Sequence, residues 1–164
     1  MEKKDFETIK LSLFRDLCNA TGVYRNTVSK KEKNIFDENA KNIIKDLISK
    51  VDSNQIKNFD IREAIIKLSE LSGFKDRVGA SQKVINVYLK YYCVVGNKSE
   101  EIIKELDCPI DSLVRKKYQL GNISIKNMTF KNYIDCQNVI EEKFKIRVMA
   151  DVPAYDEIKV NSKV

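Results

Sequence analysis

Residues 81–95, with the sequence SQKVINVYLKYYCVV, decide the fold of this chain, and Gly79 and Gly96 bracket them. Placed on a helix at about 100° per residue, the polar side chains and one cysteine fall within a stripe about 100° wide. The rest of the circumference is aliphatic or tyrosine. Such a helix belongs in the middle of a domain, so we predict a central helix over residues 80–95. We expect its core side chains to be Val84, Ile85, Tyr88, Leu89, Tyr92 and Val95.

The polar stripe of this helix is the first candidate ligand site. Gln82, Asn86 and Lys90 are spaced i, i+4, i+8, so they form a row on one side of the helix. The amides offer donors and acceptors, and the lysines offer charge for a phosphate or carboxylate. The alternative is that a mostly buried helix shows water one narrow strip, which is polar for that reason alone. The candidate ligand-binding residues are Arg77, Gln82, Lys83, Asn86 and Lys90.

Length and composition indicate a compact all-α protein. The chain has 164 residues, of which 43% are hydrophobic and 33% charged, and this balance is typical of a globular domain with a real core. Its 5 glycines and 2 prolines are too few for a turn-rich β-sandwich or barrel. We predict one helical domain over residues 1–150 and a loosely packed C-terminal tail over residues 151–164.

Capping signals place six or seven helices along the chain. Ser29 and Glu32 form a capping box, a second box is expected at Asp60 and Glu63, and Thr129 caps the last helix. Two segments, 122–127 and 146–149, look extended and are candidates for a small β-ribbon. The predicted helices cover residues 4–20, 29–50, 60–71, 80–95, 99–106, 112–119 and 129–144.

The chain contains no histidine, which excludes several classes of enzyme. Nucleophiles activated by histidine and metal sites with histidine ligands both need this residue. The four cysteines, Cys18, Cys93, Cys108 and Cys136, match no zinc spacing and are expected to be separate reduced thiols. Asp107 and Asp111 flank the Cys108–Pro109 break, where a carboxylate that caps the next helix is the plainer interpretation. We therefore lean against an enzyme and predict no cofactor, no metal site and no catalytic residue.

A carboxylate-dependent hydrolase remains a weaker alternative. Glu141 to Lys143 and Glu157 to Lys159 each contain the E-x-K element of one class of metal-dependent nuclease. This element arises often by chance in a chain so rich in glutamate and lysine. The class also requires further acids that converge on the same cation.

Basic residues at both ends of the chain suggest an anionic partner. The net charge is +6. Segments 1–50 and 111–164 carry an excess of basic residues, whereas basic and acidic residues balance in the segment between them. Three adjacent cations and a tyrosine follow Pro109, and they can contact a nucleic-acid backbone with one stacking platform. The alternative is a solvated surface turn. The candidate nucleic-acid-binding residues are Arg115, Lys116, Lys117 and Tyr118.

The sequence thus favours a small intracellular binding protein whose partner is a nucleic acid or another anionic macromolecule, such as an acidic protein. The second hypothesis is a protein–protein module, an inhibitor or regulatory subunit, that presents the tyrosine-rich central helix, with Tyr91 opposite the polar stripe. No segment approaches the length and apolarity of a membrane span, so we expect a cytoplasmic protein. A homo-oligomer is compatible with this pattern.

Overall fold

The computed structural model describes residues 16–18, 20, 29–71 and 76–155, with the side chain of residue 33 left out. The described part of the chain is about 75% helical and contains no strand, so the predicted all-α class is confirmed. The helices bounded within the described residues are α1 Lys30–Asp52, α2 Asn58–Glu70, α3 Val78–Lys90, α4 Glu100–Glu105, α5 Ser112–Tyr118 and α6 Phe130–Lys143. Most of the predicted first helix lies outside the described residues.

Side-chain caps fix the starts of two helices where the sequence predicts them. The Ser29 hydroxyl accepts the backbone N–H of Glu32 at the start of α1, and Thr129 accepts that of Asn132 at the start of α6. Helix α2 begins earlier than predicted, at Asn58. Asp60 is its third residue and accepts the backbone N–H of Lys57, so the predicted box between Asp60 and Glu63 is wrong.

The central helix consists of α3 and a π-helical turn, Tyr91–Val95. It packs against α2, α6 and a 3₁₀ turn at Ile125–Asn127. Gly79 permits the last of these contacts, because a Cβ at this position would overlap the backbone carbonyl of Ile125. The wider π turn rotates the end of the helix away from the 100° spacing. As a result Val95 is 63% exposed, and its predicted place in the core is wrong.

The buried hydrophobic side chains form one core around this helix. The other predicted core residues, Val84, Ile85, Tyr88, Leu89 and Tyr92, are buried. Tyr88 and Tyr92 stack with their ring centroids 6.3 Å apart. All four cysteines are unpaired and buried.

The predicted β-ribbon is wrong, since both segments contain 3₁₀ turns instead of strands. In the first, the Ser124 hydroxyl accepts the N–H of Asn127 and so closes a local turn. In the second, Arg147–Met149, the Arg147 side chain points into the interior.

The start of the predicted loose tail is packed. Residues 151–155 are helical, and Asp151 and Ala154 are buried. The rest of the tail lies outside the described residues.

Candidate functional site

The structure places the amides of the polar stripe in the interior. Gln82 is 0% exposed and Asn86 is 1% exposed. The Gln82 amide nitrogen donates to the carbonyl oxygens of Gly79, at 3.0 Å, and Ile110, at 2.6 Å. Its oxygen accepts the N–H of Ile110 at 3.0 Å. Gln82 therefore pairs with both backbone groups of one residue, as a neighbouring strand would.

The segment that these amides hold is the non-helical break over residues 106–111, which is buried throughout. Gln137 of α6 makes the same pair of hydrogen bonds to Cys108. Its amide oxygen accepts the Cys108 N–H at 3.0 Å, and its amide nitrogen donates to the Cys108 carbonyl at 2.7 Å. Asn86 donates to the Tyr133 hydroxyl at 2.9 Å. Buried backbone groups outside regular structure need such partners. The amides thus supply the hydrogen bonds that this buried, non-helical backbone lacks.

A charged cluster lies at the start of the same break. The Asp107 side chain is 0% exposed and pairs with Arg62, whose Nε is 3.0 Å from Oδ2, and with Arg147, whose Nε is 3.0 Å from Oδ1. The Asn58 amide and the Tyr133 hydroxyl also donate to it, at 2.8 and 2.7 Å. Both carboxylate oxygens are therefore engaged from several helices.

Burial and the Asp107 carboxylate together raise the pKa of Tyr133 well above its usual value. For Arg62, burial alone would lower the pKa, but the hydrogen bond and charge of Asp107 raise it. Both groups therefore keep their protons, and the cluster is an interior structural network.

The charged members of the stripe lie in three different environments. Lys83 is exposed and Arg77 is half-buried before the start of α3. Lys90 pairs with Asp151 of the C-terminal helical segment. Gln82 and Asn86 thus bind the protein's own chain, and ligand binding by Arg77, Lys83 and Lys90 stays a prediction.

The basic group of α5 lies at the surface. Lys116 and Lys117 are exposed, and Arg115 is half-buried. Asp111 begins this helix, since its carboxylate accepts the N–H groups of Leu113 and Val114 at 2.9 Å. The structure therefore keeps these three candidate residues together on the solvent side of the break.

Tyr118 is the exception among the four candidates. Its hydroxyl donates to the carbonyl of Ala150 at 2.6 Å, and its ring meets Phe144 edge-on at 5.4 Å. The Lys143 ammonium lies 6.0 Å from the same ring. The ring therefore packs against the protein and is half-buried, and the role of Tyr118 as a stacking platform stays a prediction.

Arg115 shapes the loop that follows α5. Its Nη1 donates to the carbonyl oxygens of Gly121, at 3.4 Å, and Ile123. Its Nε is buried and has no hydrogen-bond partner among the described residues. The chain turns here through left-handed backbone at Gln119, with φ of 54°, and at Gly121, with φ of 81°. The arginine thus ties the loop against α5 and forms one wall of a cavity.

This cationic cavity has a volume of about 400 Å³. Its lining contains two cations and three uncharged polar side chains, with no carboxylate among them. The neighbouring Asp111 accepts the Tyr155 hydroxyl and two backbone N–H groups, so its charge is partly compensated. The lining residues are Ser112, Arg115, Lys116, Gln119, Gly121 and Asn122.

The sequence around the cavity reinforces its charge. Residues 112–134 contain five basic side chains and no aspartate or glutamate. A region of one sign attracts anions over a Debye length of about 10 Å. A count of consecutive residues without a carboxylate would have extended the predicted basic site beyond Lys117 to Lys126 and Lys131.

An apolar surface remains on the central helix. Tyr91 is 54% exposed and Val95 is 63% exposed, and Val94 beside them is half-buried. The helix therefore turns its amides inward and part of its apolar arc outward. Within the described part of the chain, no helix is long and apolar enough to span a membrane.

The described residues supply no cluster of three metal-ligating side chains of the His, Cys, Asp or Glu type. Glu141 pairs with Arg147 at 2.8 Å, and the second E-x-K element lies outside the described residues. Burial raises the pKa of the Cys18 and Cys93 thiols to about 12 and raises that of Cys108 further. These thiols are protonated at neutral pH, and protonated thiols are poor nucleophiles.

Comparison of the chain with protein-family models, with curated proteins and with solved structures finds no significant match.

Proposed function

We propose that the protein binds nucleic acid, or a similarly anionic macromolecule, through the surface of α5 and the loop after it. One observation carries this proposal: the cavity of about 400 Å³ lined by Arg115, Lys116 and uncharged polar groups without a carboxylate. Lys117 extends the charge along the surface. Phosphate contacts supply most of the affinity in such complexes.

The arrangement favours phosphate contacts over base recognition at the basic group itself. Lysine acts as a mobile point charge, and Ser112 and Asn122 offer neutral donors beside it. We assign Tyr118 no stacking role in this proposal, because its hydroxyl and its ring both contact the protein. We therefore expect this surface to bind without strong preference for sequence.

In this proposal the protein binds its partner and does not catalyse a reaction. The described thiols are buried with raised pKa values, and the buried carboxylate of Asp107 is already paired. The binding unit in this proposal is the single helical domain. Four unpaired thiols fit a reducing cytoplasm.

The test is the salt dependence of binding to a short labelled DNA duplex, measured by fluorescence anisotropy between about 50 and 200 mM salt. We expect steep weakening with salt. The double variant K116A/K117A should reduce the slope of log K on log salt by about 0.9 for each lost phosphate contact.

The matched control is K41A/K45A, which removes the same charge from two exposed positions on α1. If binding is specific to the surface of α5, this control should keep the wild-type slope of log K on log salt. Equal effects of the two double variants, or no binding by the wild type to duplex or single-stranded DNA, would refute the proposal.

A second candidate function is protein–protein contact through the exposed face of the central helix, with a second copy of the chain as the partner. The observation in its favour is the exposure of Tyr91 and Val95 on an otherwise buried helix. Sedimentation of Y91D should then show loss of a dimer that the wild type forms. A wild type that stays monomeric at every concentration would remove this candidate.

A further inference from the structure

A second cavity adjoins the cationic one on the side of α6. Its volume is about 240 Å³, and Arg115 and Gln119 line both cavities. Its floor is apolar, with Met128 and Cys136 almost fully buried. Any ligand that reaches across Arg115 therefore meets charge on one side and apolar surface on the other.

The size of this apolar cavity limits its occupant. Pockets for drug-sized ligands have volumes of roughly 300–1,000 Å³, so this one accepts a fragment such as one ring system. Leu120, Ile123 and Val139 provide further apolar wall. A flat, weakly polar group gains most from such a space, because its faces leave water and its edge stays near the opening.

Besides Arg115 and Gln119, two further polar side chains line this cavity. Asn132 uses its Oδ1 to accept the N–H and the hydroxyl of Thr129, so its amide nitrogen is the end left to donate to a ligand. Asp135 offers a carboxylate acceptor and is itself paired with Lys131 at 2.7 Å. One donor and one acceptor together match the edge of a nucleobase, which carries both.

We propose that the two cavities hold one unpaired nucleotide of a bound strand, with its phosphate against Arg115 and Lys116 and its base in the apolar cavity. This inference rests on the proposed nucleic-acid binding and adds a preference for single strands. The base is taken up by burial between apolar side chains and not by an exposed aromatic ring. A base within a duplex is stacked and paired, and its extrusion costs a few kcal/mol.

The experiment compares two single-stranded DNA oligonucleotides of equal length, one intact and one in which every base is replaced by an abasic site. Both carry the same phosphates. We expect the wild type to bind the intact strand about tenfold more tightly, a difference of about 1.4 kcal/mol, which lies in the range measured for contacts to single bases.

The variant V139F fills the cavity and should bring the affinity for the intact strand down to that for the abasic strand. Its affinity for the abasic strand and its salt slope should stay at the wild-type values. Because a larger side chain can disturb packing, a second measurement uses the wild type alone. A 2-aminopurine base in the strand should change its fluorescence on binding and should not do so when an excess of intact strand competes.

The outcomes separate the two proposals. Equal binding of intact and abasic strands by the wild type, with a steep salt slope, overturns the base site and leaves backbone binding in place. Absence of binding to both strands and to the duplex removes the proposed function and the base site together. Retention of the tenfold difference in a folded V139F would also overturn the base site.

Discussion

Helices α3 and α5 both carry lysine beside uncharged polar side chains, yet the structure uses them in opposite ways. On α3 the amides of Gln82 and Asn86 are buried and bind the break at residues 106–111. On α5 the cations Lys116 and Lys117 stay exposed, and Lys116 lines a cavity whose lining residues include no carboxylate. A polar stripe therefore marks a surface only when no buried, non-helical backbone needs its donors and acceptors. Substitutions in the first region should therefore change stability, and those in the second should change binding.

The largest effect on stability is expected from D107N. This change keeps the shape of the side chain but removes the charge that Arg62 and Arg147 both face, and it turns an amide group toward their N–H groups. Breaking a buried pair costs about 3–5 kcal/mol. Urea denaturation should show this loss in the free energy of unfolding. The control D46N alters a solvent-exposed pair with Lys50 and should cost less than about 1 kcal/mol; equal losses would contradict the structural role.

The next effect is expected from Q82M, which keeps the volume of the side chain and removes its amide. The N–H and the carbonyl of Ile110 both lose their partner in the interior. Each buried group left unpaired costs about 1–3 kcal/mol, so we expect a total loss of roughly 2–4 kcal/mol. The same substitution at the exposed Gln119 serves as the control. If Q82M were as stable as the wild type, the stripe would be free for a ligand after all.

The sequence predicts the local features of this fold because their causes are local. Ser29 and Thr129 lie within three residues of the N–H groups that they cap. The buried side of α3 cannot be predicted in this way, since its partner is Ile110, 28 residues further along the chain. Pro109 between two apolar residues was the available signal, because a buried break needs side-chain amides. The Asp107 cluster joins positions 45 residues apart, such as Arg62, and leaves no pattern in the sequence.

The basic site was predictable in part for the same reason. Three consecutive cations are visible in the sequence, and exposure follows from their charge. The position of Tyr118 depends on Ala150, which is 32 residues away, and on the ring of Phe144. The cavity itself depends on the left-handed turn at Gln119 and Gly121. Residue type therefore predicts the charge of the surface, and only the fold determines its shape.

A smaller effect, with a characteristic pH dependence, is expected from Y133F. The variant loses a hydroxyl that donates to Asp107 and accepts from Asn86, so we expect it to be less stable at neutral pH by about 1–3 kcal/mol. The pKa of Tyr133 is raised in the folded protein, so its contribution is complete below the unfolded value near 10 and is lost as pH rises above it.

Urea denaturation between about pH 7 and pH 11 checks this sign. The difference in unfolding free energy between wild type and Y133F should be constant up to about pH 9 and should shrink above about pH 10. The variant Y91F, at an exposed tyrosine of the central helix, provides the comparison. A difference that grows with alkaline pH would mean that the Tyr133 proton is not held by this network.

The smallest effect on stability is expected from K116A/K117A. A small effect would support the contrast between the buried polar side chains of α3 and the exposed lysines of α5. Both side chains are exposed on α5, and surface substitutions of this kind usually change the free energy of unfolding by less than about 0.5 kcal/mol. Urea denaturation should therefore give nearly the wild-type midpoint for a variant whose DNA binding is weaker and less dependent on salt. A loss of 2 kcal/mol or more, on the order of a broken buried contact, would show that α5 is held by these lysines. Reduced binding would then reflect a damaged fold, and the two helices would not differ in the way that their burial indicates.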